Sequence, residues 1–99
     1  MGVLYLVSRS PYTSLDLAQC LARMGDGDAL LLLADAVYAA VPGNPVAEAL
    51  EACSAACHVL IPDLEARGIA RENRLPSLVP LDFEGFVDLT VDYERIVSW

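Results

Sequence analysis

Residues 3–11 read VLYLVSRSP, and this stretch points to the fold class. The apolar run at residues 3–7 stops at a polar segment that contains proline, which is typical of a buried strand ending in a loop. Residues 29–34 read ALLLLA and stop at Asp35 in the same way. A run this short favours a second strand buried on both faces over a core helix. Strands of this kind predict an α/β protein with a parallel sheet covered on both sides.

Segments with helical spacing alternate with the strands. Leu17, Leu21 and Met24 recur at helical intervals, and Asn44 followed by Pro45 is a typical helix start. Asp82 is the expected cap of a last helix that runs to about residue 91. The predicted helices cover residues 15–24, 45–56, 63–68 and 82–91, and the predicted strands cover residues 3–7, 29–34, 58–61 and 79–81. The segment 36–41 is a helical turn or a loop, and the tail 96–99 is apolar.

The composition indicates one small domain with more apolar residues than its own core can bury. The chain has 99 residues, of which 56% are hydrophobic and 20% charged. A single domain over residues 1–99 is expected, because this length leaves little room for a second core. The apolar surplus exceeds what a small monomer readily hides, so we expect part of it to lie in a subunit interface.

Charge and hydropathy exclude nucleic acids and membranes as expected partners. Fourteen acidic residues stand against six basic ones, all arginine, which gives a net charge of −8. Such a chain repels phosphate backbones, so direct nucleic-acid binding is not expected. The longest clean apolar stretch falls far short of the ~20 residues of a membrane span, and no basic leader precedes an apolar segment. We therefore expect a cytoplasmic protein without membrane contact, whose three cysteines are thiols.

Reactive groups of parallel sheets gather beyond the carboxyl ends of the strands. The loops at residues 8–11, 35–38 and 62–63 are therefore the first places to search, although none carries a phosphate-binding or nucleophile motif. Asp35 either contacts a substrate or caps the following turn. Asp63 and Asp82 are interpreted as helix caps. The residues Arg67, Arg71 and Arg74 hold half of the positive charge, in a solvated loop or on a surface for an anionic partner.

The cysteines allow two interpretations each. Cys20 lies about 70° from the centre of the apolar stripe of its helix at ~100° per residue, so it is expected to be partly exposed. It could form a thiolate that accepts sulfane sulfur, or it could be a small core residue. Cys53 and Cys57 lie on the stripe of the second helix and are expected in the core. With His58 they also suggest a metal site, but a fourth ligand is missing, and His58 is more simply a hydrogen-bonded residue.

Four segments together resemble the DsrH/TusB family of bacterial sulfur-relay subunits. In chain order they are VLYLVSRSPY, GDALLLLADAVYAAVPGN, IPDLEARGI and LDFEGFVDLTVDYERIVSW, the last with a terminal tryptophan. The resemblance spans nearly the whole chain. It implies a DsrE-like, flavodoxin-type three-layer α/β fold without flavin, with a mostly parallel sheet of about four or five strands.

The resemblance also implies partners. Members of this family form hexamers with two copies each of three related subunits, called DsrE, DsrF and DsrH or TusD, TusC and TusB. These complexes relay persulfide sulfur on cysteines, together with sulfur carriers of the TusA, TusE or DsrC type. In the Tus branch the sulfur reaches the 2-thio group of wobble uridine in tRNA, and in the Dsr branch it serves the oxidation of stored sulfur. The principal sulfur-carrying cysteine belongs to the DsrE/TusD subunit.

The resemblance gives one residue of this chain a candidate role. DsrH-type members carry a cysteine in the first helix, and Cys20 falls at the matching place. Cys20 is therefore the candidate persulfide acceptor, with a non-catalytic scaffold subunit as the alternative. Cys53 and Cys57 match no family motif and keep their core interpretation. The sequence leaves both branches open, because TusB proteins with this cysteine also occur.

Overall fold

Five parallel strands form one sheet at the centre of the molecule, in a computed structural model that describes residues 2–99. The strands are β1 (Val3–Val7), β2 (Ala29–Leu32), β3 (Ala56–Leu60), β4 (Val79–Leu81) and β5 (Arg95–Ser98), in the spatial order β4-β3-β2-β1-β5. The predicted α/β class with a parallel sheet is confirmed. The apolar tail forms β5, which pairs with β1 and is extended by a hydrogen bond of 2.8 Å from the Trp99 amide to the Leu6 carbonyl.

Helices and short 3₁₀ segments connect the strands. The helices are α1 (Asp16–Arg23), α2 (Ala47–Ala52), α3 (Ile61–Ala66) and α4 (Phe83–Val91), and the 3₁₀ segments are Ala34–Ala40 and Arg71–Asn73. All four helices were predicted, but α2 is shorter than expected. Asn44 is buried and accepts from the Val46 amide while it donates to the Ala39 and Val41 carbonyls, so it holds the turn before α2. The backbone becomes extended at Cys53, which ends α2 and places Cys57 on β3.

The path of the chain decides which face of the sheet each helix covers. From β1 the chain moves outward through β2 and β3 to β4, and then returns across the sheet to place β5 beside β1. Parallel connections are nearly always right-handed, so reversing the direction of travel moves the connecting helix to the opposite face. Helix α4, which joins β4 to β5, therefore lies alone on the second face.

One side of the sheet, here called the closed face, carries the main core. It is covered by α1, α2 and the 3₁₀ segment Ala34–Ala40, and Leu64 of α3 joins the same core. Its fully buried side chains include Val7, Leu17, Leu30, Val37 and Val59. Alternation along the strands sends every second residue here, which accounts for the continuous apolar runs in the sequence.

The other side of the sheet, here called the open face, is covered by α4. Its buried core consists of Leu4, Ala29 and Leu31, against which Phe86 and Leu89 of α4 pack partly buried. Asp82 caps α4 as predicted, accepting a hydrogen bond of 2.7 Å from the Gly85 amide. No residue of α4 is fully buried. Within residues 2–99, no helix has the length and apolar character to cross a bilayer.

Candidate functional site

The three thiols of the chain converge on the closed face. Cys20 lies on α1, Cys53 follows the last residue of α2, and Cys57 lies on β3. Cys20 and Cys57 belong to the main core, and Cys53 packs against it half-buried. All three are free thiols. The sequence pattern did not predict this cluster, because bringing Cys20 to Cys53 depends on how α1 packs beside α2.

Cys20 is buried, contrary to the expectation of partial exposure. Its exposed fraction is 0%, because Leu17, Cys20, Leu21 and Met24 together form the i, i+3, i+4, i+7 stripe that faces the sheet. Burial, then the negative charge of Asp28 and the neighbouring Cys53, raise the pKa of Cys20 from 9.0 to about 11. The thiol is therefore protonated and out of reach of solvent in the chain by itself.

The charge of Asp28 is fixed by the backbone. Its carboxylate accepts hydrogen bonds of 2.9 Å from the Gly25 amide and from the Val3 amide. These two bonds, the one from Gly25 first, lower the pKa of Asp28. The carboxylate thus remains ionised and joins the end of α1 to the start of β1, where its charge opposes thiolate formation at Cys20.

Cys57 and Cys53 differ in their access to solvent. The Cys57 sulfur lies 3.6 Å from the Ala55 carbonyl oxygen, and burial followed by the adjacent Cys53 raises the pKa of Cys57 to about 12. Cys53 lines an apolar groove of about 390 Å³ between α1 and α2, bordered largely by alanines. The core interpretation is confirmed for Cys57, whereas Cys53 is the thiol of the cluster that a small reagent can reach.

The metal hypothesis for Cys53, Cys57 and His58 conflicts with the geometry. Successive residues of a strand point to opposite faces, so the His58 ring lies on the other side of the sheet from the Cys57 sulfur. His58 Nδ1 is instead 3.2 Å from the Leu30 carbonyl oxygen. Burial lowers the pKa of His58, so the neutral ring is favoured. Within residues 2–99, no group of three or more His, Cys, Asp or Glu side chains is arranged to hold a metal ion.

Ionic and hydrogen-bonded contacts link the loops at the carboxyl end of the sheet. Arg67 donates two hydrogen bonds of 3.0 and 2.9 Å to one oxygen of Asp35, which ties the end of β2 to α3. Asp63 does not cap α3 as predicted, because α3 begins at Ile61 and places Asp63 within its first turn. Its carboxylate accepts a 2.7 Å hydrogen bond from the Ala34 amide. Ala34 has a φ of 50°, a strained value for a residue with a side chain, and the bond from its amide to Asp63 helps to hold it.

The arginine-rich segment borders a second, larger cavity. Arg71 and Arg74 line a space of about 690 Å³ beside β4, together with apolar side chains such as Val59, Ile69 and Leu78. Arg74 donates a 3.1 Å hydrogen bond to the Ile69 carbonyl, so one of the two arginines is partly engaged in holding its own loop. Asp35 and Arg67, by contrast, form an ion pair with each other. The carboxyl end of the sheet is therefore organised mainly by contacts within the fold.

The comparisons with known proteins agree with this fold. The family model described as "DsrH like protein" matches residues 9–96. Proteins named TusB from Pectobacterium parmentieri and Shigella flexneri are each 38% identical over 97 residues, covering 98% of this chain and all of the relative. A TusB protein from Escherichia coli O1:K1 is also 38% identical, over 98 residues.

Two solved structures share the architecture at low sequence identity. The ychN protein of E. coli has a TM-score of 0.78 at 19% identity and is covered completely, as is this chain. A protein of unknown function from Methanobacterium thermoautotrophicum has a TM-score of 0.76 at 7% identity, over 99% of this chain and 98% of its own. These structures support the fold, and the sequence matches define the kinship: the chain belongs to the DsrH family, as a relative of the TusB proteins and a sulfur-relay subunit.

Proposed function

We propose that the chain is a subunit of a cytoplasmic sulfur-relay complex and takes part in persulfide transfer for the 2-thiolation of wobble uridine in tRNA. The observation that carries this proposal is the 38% identity to TusB proteins over 98% of the chain, which favours the tRNA branch over sulfur oxidation. The partners would be DsrE/TusD-like and DsrF/TusC-like subunits and a sulfur carrier. With a net charge of −8, this chain leaves contact with the tRNA to other components.

Within this proposal, Cys20 is the candidate persulfide acceptor. Its thiolate would attack the outer sulfur of a partner's cysteine persulfide, break the sulfur–sulfur bond of the donor and release the donor cysteine as a thiolate. The product is a persulfide on Cys20. The step needs an ionised and accessible sulfur, whereas Cys20 is 0% exposed with a pKa of about 11. Transfer to Cys20 therefore requires α1 to move away from the sheet when a partner binds.

A scaffold role is the second candidate, and the burial of Cys20 favours it. A thiol that fills the core between α1 and the sheet contributes to packing whether or not sulfur passes through it. In this case the chain supports the relay by holding its partners, and the persulfide remains on the cysteines of the other subunits.

A gene deletion tests the branch of the pathway. We expect loss of the gene in its own host to remove 2-thiouridine from the wobble position, as measured by mass spectrometry of digested tRNA, and a plasmid copy to restore it. Unchanged thiolation in the deletion strain would contradict a role in tRNA modification.

Complementation with cysteine variants separates the acceptor role from the scaffold role. Cys20→Ala restores thiolation if the chain is a scaffold and fails to restore it if Cys20 relays sulfur, provided that the variant accumulates to the normal level. Cys53→Ala is the matched control in the same thiol cluster. Loading the purified complex with a persulfide donor adds a direct readout, because a relayed sulfur appears as an addition of ~32 Da on Cys20.

A further inference from the structure

An apolar row on α4 faces solvent. Phe83, Val87 and Val91 are 60%, 58% and 80% exposed. Their spacing of four residues places them along one side of the helix. Phe86 and Leu89 make the contacts of α4 with the sheet, so the fold itself does not need the exposed row.

Two further exposed apolar residues lie on the open face, at opposite edges of the sheet. Val79 on β4 and Ile96 on β5 are also exposed, and their registers with His58 and Leu4 place both side chains on the open face. The α4 surface is defined here as Val79, Phe83, Val87, Val91 and Ile96. These are five of the seven exposed large hydrophobic residues in the described part of the chain, the others being Tyr12 and Leu15. A concentration of this kind marks an interaction surface.

The charges around this surface limit what can bind it. Residues 82–94 contain five acidic residues and no lysine or arginine: Asp82, Glu84, Asp88, Asp92 and Glu94. A second copy of the chain would bring the same negative margin, and an anionic membrane would be repelled as well. The complementary surface is apolar at its centre and basic at its edge.

We propose that the α4 surface docks a different protein chain of the same complex, which presents an apolar groove bordered by lysine or arginine side chains. An exposed helical row that enters such a groove is a common mode of protein recognition. The inference rests on the proposed function for the choice of partner, and it deepens that function by assigning the partner a site on this chain.

The test uses the full-length chain co-expressed with the related DsrE/TusD-like and DsrF/TusC-like subunits. Four versions are compared by co-purification and by binding titration: wild type, Val87→Asp, the double variant Glu84→Arg/Asp88→Arg, and Leu15→Asp. Leu15 is 71% exposed and lies before α1, so it is the matched control for an added charge on an exposed apolar residue. Denaturant unfolding of each variant alone verifies that it is folded.

We expect Val87→Asp to weaken association by roughly 30-fold or more, because it buries an unpaired charge in an apolar contact. The double variant is expected to weaken it by about 5- to 10-fold and to reduce its dependence on salt. Leu15→Asp should bind like wild type. If Val87→Asp associates with the partners as wild type does, this inference alone is overturned. The same holds if wild type forms a homodimer that Val87→Asp disrupts. Failure of wild type to associate at all would overturn the proposed function together with it.

Discussion

The two faces of the sheet differ in how much of them the chain itself covers. The closed face packs under two helices and a long 3₁₀ segment, and most of the buried side chains of the chain lie there. The open face has α4 and a buried core of three residues. The cause is topological: three successive connections cover one side, and the single return from β4 to β5 covers the other. The closed face supplies most of the stability, which leaves the open face available for a partner.

The same difference bears on the sulfur chemistry. Cys20 and Cys57 lie within the closed face, where burial keeps both thiols protonated, and Cys53 lies at its margin. Five of the seven exposed large hydrophobic residues of the described chain lie on the opposite side of the sheet. The α4 surface and the thiol cluster are thus separate features, so a partner docked on α4 would not contact Cys20.

The largest effect is expected from truncating matched residues on the two faces. Leu17→Ala should lower the free energy of unfolding by about 2–5 kcal/mol, because it leaves a cavity in the closed face. Val87→Ala on the exposed side of α4 should change it by less than about 0.5 kcal/mol. Urea unfolding followed by circular dichroism measures both. Equal losses would mean that the exposed row of α4 contributes to the fold as much as a buried residue of the closed face does.

A smaller effect is expected from polar replacement within the thiol cluster. Cys20→Ser places a hydroxyl where no water reaches and should cost about 1–3 kcal/mol. Cys53→Ser should cost distinctly less, because its side chain borders an open groove. A maleimide reagent applied to the folded wild type should modify Cys53 before the other two thiols. Faster labelling of Cys20 would show that α1 opens in the chain by itself.

The sequence predicted the closed face better than the open one. Apolar runs such as residues 29–34 specify strands buried on both faces, and Asp82 specifies the start of α4. The buried side of α1 was predicted incorrectly. Cys20 was not counted with Leu17, Leu21 and Met24, although all four residues lie on the side of the helix that faces the sheet. A sheet of four or five strands was expected from the family resemblance, but β5 was not assigned to a segment of the sequence, because an edge strand with exposed side chains carries no alternating pattern.

The candidate site was harder to predict than the fold. Cys53 lies far from Cys20 along the chain, and their approach results from the packing of two helices. Asp63 was assigned to a local cap, whereas it binds the Ala34 amide 29 residues away. Local propensity describes the start of a helix but gives no information on such long-range partners.

An effect of pH follows from the same burial. The pKa values of Cys20 and Cys57 are raised by burial to about 11 and about 12, above their ordinary 9.0. The unfolded chain ionises its thiols from about pH 9 upward, while the folded chain keeps them protonated. The contribution of these two thiols to the free energy of unfolding is therefore fully present below about pH 9. It is lost as the pH rises through their pKa values in the folded chain. A double variant, Cys20→Ala/Cys57→Ala, should lose less stability than wild type between about pH 8 and about pH 11. Equal losses in the free energy of unfolding of the variant and of wild type over this pH range would contradict burial of the thiols.

Hydrogen exchange tests the contrast between the faces most directly. The chain would be measured alone and within the complex formed with its co-expressed partner subunits, with exchange followed segment by segment by mass spectrometry. The contrast between the faces predicts that amides of α4 at residues 83–91 gain protection on assembly, while those of α1 at residues 16–23 gain none. Protection gained at α1 with α4 unchanged would contradict it, because the partner would then occupy the side of the molecule that the chain already covers.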